Sequence, residues 1–328
     1  VAGRVVLLTG ATGFVGRNLL LSEVSRGSRV LAVVRDADKL RAQLAFEGLS
    51  PACVEALPQD PALWPRIEPT HAVLAAGVLF ARSEAAYRSV NVDWTLRILS
   101  AIPAGCATVV LSSQSAGGPT PAGLPSRREE HEDQPVTWYG RSKLDLEGRL
   151  RDTGRQLAVL RPPMILGPRD SATLPLFRMA GGRVRPKPGL QTKMFSFLDV
   201  RDLLTAIDAS WETGFTGSAY VASGELLSDA ELVAEAAALT GGKGLSLPIP
   251  HWAIRAASLL IDAVPALREA NPSLTRDRVR EILHNRWVVS PERFEQSTGW
   301  RARYSAREAL AAACDFYRRE GRLPPRQH

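Results

Sequence analysis

Residues 7–16 read LLTGATGFVG, three glycines spaced three apart directly behind an apolar run. The glycines alone do not separate a dinucleotide site from a tight turn between a strand and a helix, but the flanking sequence does. RVVLLTG (4–10) is a short run, apolar on both faces, of the kind buried in a parallel sheet. GFVGRNLLLSEVSRG (13–27) reads as a helix, with Phe14, Leu19, Leu20 and Val24 on its apolar face and Gly27 ending it. RVLAVVRD (29–36) is a second strand. Strand, glycine turn, helix, strand is the context that makes the motif specific. Gly10 permits the tight turn, Gly13 lets backbone approach a pyrophosphate, and Gly16 permits close helix packing. The phosphates would meet free N–H groups at the helix N-terminus.

The end of the second strand bears on the nucleotide. An acidic residue there would accept hydrogen bonds from the adenosine ribose and repel a 2′-phosphate. VVRD places Arg35 first and Asp36 second. The arginine offers a charged fork for a phosphate, which favours NADPH over NAD. In the competing reading Arg35 is a solvated strand-end residue and Asp36 takes the ribose.

HAVLAAG (71–77) and ATVVLSS (107–113) are further strands, with a helical segment around 84–101 between them. The alternation predicts an α/β fold, a doubly wound parallel sheet with the cofactor at its carboxyl edge. GGPTPAGLPS (117–126) is a surface loop by its Pro and Gly content. The chain of 328 residues accommodates such a domain with a smaller partner, and an apolar fraction of 45% fills its core. Cys53, Cys106 and Cys314 lie far apart with no ligand spacing around them, which suggests neither a zinc site nor a disulfide framework. His71, His131, His251, His284 and His328 form no ligand constellation either, so no metal is expected. The reducing compartment this implies, with nothing at the N-terminus that resembles a cleavable export signal, points to the cytoplasm.

A net charge of +7 and a pI near 9.7 can attract nucleic acid or an anionic membrane. The arginines are scattered and no basic cluster is interleaved with aromatics, which argues against nucleic acid as the partner. HWAIRAASLLIDAVPALREA (251–270) is apolar, yet Arg255 and Asp262 interrupt it and Pro265 ends it, so it is too short to span a bilayer. A plain packed helix is one reading; an amphipathic helix covering a cleft or touching a membrane surface is the other.

VTWYGRSKLDLEGRLR (136–151) contains Tyr139 and Lys143, four apart and therefore on one helix face. A neighbouring cation favours a phenolate and draws its pKa toward the range that proton transfer requires. The pair follows LSSQSAGG, a strand ending in Ser112 and Ser113 at the sheet edge where ligands bind. Trp138, directly before the tyrosine, either lines the substrate cleft or packs the helix onto its loop.

TGATGFVG, LSS at a strand end, YGRSK and LRPPMILGPRD (160–170), in this order and spacing, resemble the extended short-chain dehydrogenase/reductase family. FSFLDVRDLLTAI (195–207) and WRARYSAREAL (300–310) extend the resemblance over nearly the whole chain. It implies a Rossmann-type domain over 1–165 and a smaller C-terminal substrate-binding domain over 166–328, with a segment of about 195–222 returning to the first. NAD(P)-dependent chemistry at a carbonyl or alcohol carbon follows from the same resemblance. So do a small-molecule substrate, a homodimer formed through the central helices, and catalytic roles for Ser113, Tyr139 and Lys143, with Ser112 and Ser115 as alternatives for the serine. The cofactor would be held by Gly10, Thr12, Gly13, Phe14, Val15, Gly16, Arg35, Ala75, Ala76, Tyr139 and Lys143. Arg161 and Pro162 match the pair leading into the substrate domain, and Asn91 the asparagine of the central helix.

The family's usual asparagine before Gly-Pro falls at Met164, which with Ser113 and Trp138 is expected to face substrate. A thioether cannot supply an amide's hydrogen bonds, which argues against a nucleotide sugar. VEALPQD (54–60) has no clean counterpart of the family's aspartate near adenine, and Trp94 stands where glycine is common. The expected activity is reduction of a bulky, largely hydrophobic ketone, or the reverse alcohol oxidation. The alternative is a nucleotide-sugar epimerase or dehydratase with tightly held NAD, in which Arg161, Arg169, Arg178 and Arg183 would pair with a diphosphate. A nucleotide-binding sensor without turnover is the third class, disfavoured because Tyr139, Lys143 and candidate serines are all present.

Overall fold

The computed structural model describes residues 3–325. Seven parallel strands form the main sheet: β1 (Val5–Thr9), β2 (Arg29–Val33), β3 (Val54–Leu57), β4 (His71–Leu74), β5 (Ala107–Leu111), β6 (Leu157–Arg161) and β7 (Gly217–Tyr220). Across the sheet they run β7-β6-β5-β4-β1-β2-β3, so the order reverses between β1 and β4. In open sheets of this kind a crevice opens outside the carboxyl ends at that switch point.

The register explains why these strands read as apolar without alternation. Leu8 lies opposite Ala32 and Val73, and Leu7 opposite Leu31 and Ala72. Leu8, Ala32, Val73 and Val109 share a core with Leu19 and Leu20 of helix Phe14–Ser25 and with Leu203 and Ile207 of helix Val200–Thr213. Leu7, Leu31, Ala72 and Val110 face the other way, onto Val92, Ile98 and Leu99 and onto Leu146 and Leu150 of helix Trp138–Asp152. Both faces are covered, so neither set of alternate positions can be polar. The fold is the doubly wound parallel α/β architecture.

The helical segment after β4 is not uniform. Glu84–Arg88 and Thr95–Ser100 are α-helical, and Ser89–Trp94 between them is a π turn. Such insertions recur at functional sites because they re-aim a side chain. Here the turn carries Asn91.

A smaller sheet is built on Met194–Asp199, which pairs in parallel with Met164–Leu166 and Arg286–Trp287 and antiparallel with Leu226–Ser228. Helices Leu174–Ala180, Asp229–Thr240 and Ala306–Arg319 close a third core around Phe177, Ala237, Leu310 and Tyr317. Within 195–222, the first strand thus stays in the smaller sheet, whereas helix Val200–Thr213 and β7 belong to the main one. Residues 251–270 form helix His251–Ala263, then break at Val264 into Pro265–Ala270. No described helix is long and apolar enough to cross a membrane.

Candidate active site

The glycine turn fits a dinucleotide. Gly10 leaves β1 at φ +76°, and a Cβ there would stand 3.1 Å from the Ala76 backbone. A Cβ on Gly16 would come within 2.1 Å of the Gly10 carbonyl oxygen, so the helix can start this close to the strand only without a side chain. Helix Phe14–Ser25 has no side-chain cap and no acidic residue in its first turn. The N–H groups at its start, Phe14 and Val15 among them, therefore face the crevice as donors with no competing anion. Gln43 donates to the Thr12 carbonyl at 3.2 Å and steadies the turn from helix Ala37–Phe46. Ala75 and Ala76 follow β4 directly across from Gly10, with the Ala76 N–H held by Thr9 Oγ1 at 3.0 Å.

At the end of β2 the two candidate residues behave differently. Asp36 caps helix Ala37–Phe46, accepting from the Lys39 N–H at 2.9 Å. Arg35 is exposed, and among the described residues no hydrogen bond or ion pair engages its guanidinium.

Helix Trp138–Asp152 starts behind Thr137, whose hydroxyl accepts from the Gly140 N–H at 3.2 Å. Tyr139 is in its first turn, its phenol beside the hydroxyl of Ser113, which follows β5. Ser112 points elsewhere, its hydroxyl donating to Glu147. Ser115 is buried in the following turn, its N–H bonded to Ser113 Oγ at 3.1 Å. Of the three serines, Ser113 is the one brought against the phenol. Burial pushes Tyr139 up to about 12, opposed by the Ser113 contact and by the charge of Arg278.

Lys143 lies one turn further along. Burial pushes it down to about 8, and its Nζ donates to the Leu111 carbonyl at 2.8 Å. The loop after β4 runs close beside it, since a Cβ on Gly77 would stand 3.4 Å from that Nζ. Asn91 fixes the loop: its Oδ1 accepts from the Val78 N–H at 2.8 Å, and its Nδ2 donates to Ser142 Oγ at 2.9 Å. The cation acting on the phenol is Arg278.

Arg278 comes from helix Arg276–Leu283, which the sequence reading passed over. Its guanidinium carbon lies 5.7 Å from the Tyr139 ring centre and 5.5 Å from that of Phe80. One terminal nitrogen pairs with Glu281 at 2.9 Å. The other is buried without a partner. The same helix grips the start of the tyrosine helix: Asp277 accepts the Trp138 N–H at 3.0 Å, and Glu281 accepts the Thr137 hydroxyl at 3.0 Å. RDRVREIL is charged at nearly every turn, so periodicity offered no sign that one of its arginines faces inward. Tyr87, 6.3 Å from Tyr139 between ring centres, completes the wall.

Two arginines expected as partners for a diphosphate are engaged inside the protein. Arg161 is buried, with Glu147 at 2.8 Å and Asp133 at 2.7 Å, and Tyr220 OH accepts from it at 3.2 Å. Arg169 makes a two-pronged contact with Glu47, 2.7 Å on each side, and a third bond to Asn18 at 3.0 Å. It clasps the loop after Met164–Leu166 to the glycine-turn helix. Arg178 and Arg183 are exposed. Met164 is half-buried against the third core. Trp94 anchors its indole N–H on the Gln59 carbonyl at 3.1 Å, and Asp60 beside it is taken by Arg97 at 2.6 Å. Among the described residues no group of three or more His, Cys, Asp or Glu is placed to hold a metal ion.

A parallel sheet with this strand order, a glycine-lined turn at its switch point and a tyrosine–lysine helix beside it define a nicotinamide-dinucleotide enzyme of the extended short-chain dehydrogenase/reductase type. The chain belongs to the NAD dependent epimerase/dehydratase family, whose model matches residues 6–222. It is 26% identical over 333 residues to a ceramide reductase of Caulobacter vibrioides, covering 98% of this chain and 96% of that one. A UDP-glucose 4-epimerase of Vibrio cholerae is 27% identical over 264 residues, covering 75% and 79% of the two chains. Among solved structures, the Thermus thermophilus UDP-glucose 4-epimerase complex with NAD superposes with a TM-score of 0.74 at 19% identity, covering 96% of this chain and 99% of that one. The protein is an NAD(P)-dependent oxidoreductase of this superfamily.

Proposed function

We propose that the protein is an NADPH-dependent reductase of a bulky, largely hydrophobic ketone, able to run in reverse as an alcohol dehydrogenase. The observation that carries this reading is the Ser113–Tyr139 pair, set beside the ring of Tyr87 and linked through Arg278 to Phe80, while Arg161 and Arg169 are occupied elsewhere. Bound nicotinamide supplies hydride to the carbonyl carbon. Ser113 donates a hydrogen bond to the carbonyl oxygen and orients it. Tyr139 gives that oxygen its proton; burial raises the phenol to about 12 and so weakens it as an acid, and the Ser113 contact and the charge of Arg278 are the influences that act in the productive, downward direction. Lys143 holds the nicotinamide ribose hydroxyls. The full-length match to a protein named as a ceramide reductase supports a reductase with a lipid-like substrate. A panel of bulky ketones and nucleotide sugars, followed by dinucleotide absorbance and product analysis, tests it. Turnover of a ketone is expected, and turnover of a nucleotide sugar alone would overturn the reading.

One observation favours the second reading, a nucleotide-sugar epimerase or dehydratase. The unpartnered nitrogen of Arg278 could hold a phosphate oxygen beside Tyr139. The same product analysis separates the two, because an epimerase shows no net change in dinucleotide.

The cofactor choice rests on Arg35. An unengaged guanidinium at the end of β2, with Asp36 held as a helix cap, suits a 2′-phosphate. NADPH is expected to bind more tightly than NADH, and Arg35→Ala to remove most of the difference, about tenfold or more for a lost charge-assisted contact. Fluorescence titration of both nucleotides measures it. Equal affinities in the unmutated protein would sink the assignment.

A further inference from the structure

The helix pair over 251–270 leaves large apolar side chains exposed that a water-facing element would ordinarily bury. On helix His251–Ala263 the buried side chains are Ser258 and Ile261. Trp252, Leu259 and Leu260 point outward with 72%, 53% and 60% of their surface exposed. A surface helix ordinarily turns its apolar stripe to the core and its polar one to solvent. This helix buries Ile261 yet leaves three large apolar side chains outside, and the apolar surface continues beyond it. Pro250 joins it to strand Leu245–Ile249, where Leu245 and Leu247 are also exposed at 81% and 58%. Such a contiguous patch marks an interaction surface.

The charge around it selects the occupant. Residues 178–193 and 241–280 hold eleven Lys and Arg against three Asp and Glu, net +8, whereas the whole chain is net +7. Lys193 and Arg278 point inward, while Arg178, Arg183, Lys243 and Arg255 are exposed. Arg255 is exposed between Trp252 and Leu259 at spacings of three and four, hence on the same face. Arg183 and Lys243 are exposed at the start of the paired strands Val184–Pro188 and Leu245–Ile249. A second copy of the chain would meet this face with like charge. An anionic bilayer meets both features at once, taking the apolar side chains below its headgroups and the cations at them.

The face is also joined to the candidate site. Arg268 donates to the Arg82 carbonyl at 2.7 Å, and Arg82 pairs in turn with Glu269. That ties Pro265–Ala270 to the loop carrying Leu79 and Phe80, both exposed, and Phe80 leads to Arg278 and Tyr139.

We propose that the exposed apolar face of 245–264, with the cations around it, docks the enzyme on the surface of an anionic lipid bilayer. The inference stands whichever substrate the site takes. The test is flotation of the full chain with phosphatidylcholine vesicles with and without phosphatidylglycerol. Binding is expected to be at least about tenfold tighter with the anionic lipid and to weaken with salt. Acyl-chain-brominated lipid is expected to quench a component of tryptophan fluorescence that Trp252→Phe lacks. Replacing Leu259 and Leu260 together by glutamate should abolish flotation while dinucleotide binding, the check on folding, stays unchanged. Vesicle binding retained by that double variant would overturn the proposal, as would no binding of the unmutated chain to anionic vesicles. Self-association that the double variant abolishes, without flotation of the parent, would overturn it in favour of a second copy.

Discussion

Tyr139→Phe is expected to lower turnover by about 10²–10⁴-fold, the usual worth of a positioned acid, while dinucleotide affinity stays nearly intact. The substitution keeps the ring, its contact with Tyr87 and its place under Arg278, and deletes only the hydroxyl beside Ser113. Ser113→Ala should cost less, because the phenol survives and only the second hydrogen bond to the carbonyl oxygen is lost. Ser112→Ala should leave the chemistry alone and act on stability, since its hydroxyl serves Glu147. Lys143→Ala should weaken both turnover and nucleotide binding, as its Nζ lies beside the Gly77 backbone at the cofactor's side of the site. Steady-state rates beside nucleotide titrations for the four variants, with the ketone found in the panel, measure this. A Tyr139→Phe protein retaining more than about a third of its activity would refute the acid role, for which the expected loss is at least two orders of magnitude.

The contrast between the two neighbouring serines marks what a sequence can carry. LSS specifies that two hydroxyls follow a buried strand, and period two puts them on opposite faces of the sheet. Which face meets the tyrosine helix depends on the packing of Trp138–Asp152, and that is tertiary. The main sheet was legible for the opposite reason. Leu7 and Leu8 are both buried because helices cover both faces, and a run without alternation records that directly. Glycines at 10 and 16 were legible because backbone geometry admits nothing else there, Gly10 by its positive φ and Gly16 by its contact with the Gly10 carbonyl. Long charged side chains were not. Arg161 and Arg169 look from sequence like free cations near a ligand, yet each closes on a carboxylate far along the chain, Asp133 and Glu47. Arg278 went unread for the same reason in reverse. Its reach toward Tyr139 exists only once two segments more than a hundred residues apart are packed together. The helix over 251–270 lay between these cases: its apolar content was plain, but which side it buries could not be read from an apolar run on all faces.

Arg161→Leu is expected to destabilise the fold by about 3–5 kcal/mol, the cost of leaving a buried charge without its partner. The reason lies in what remains. The Glu147 side chain is fully enclosed, and two of its hydrogen bonds, from Ser112 and Ser218, come from neutral hydroxyls that cannot balance a carboxylate. Arg161 also sits at the carboxyl end of β6, in register with Tyr220 of β7, and bonds that tyrosine's hydroxyl. Its loss therefore loosens the sheet edge beneath the Ser113–Tyr139 pair as well as the ion pair itself. Arg161→Leu combined with Glu147→Leu removes both charges, and replacing a buried pair by apolar side chains is often neutral or better. The double variant should recover only part of the loss, because Ser112 and Ser218 then lack an acceptor at about 1–3 kcal/mol for each unsatisfied group and Asp133 loses its partner. Urea unfolding of the parent, both single variants and the double variant gives the coupling energy directly. A loss below about 1 kcal/mol in Arg161→Leu, the range of solvated surface pairs, would mean that water reaches Glu147 and that the site rests on something other than this network.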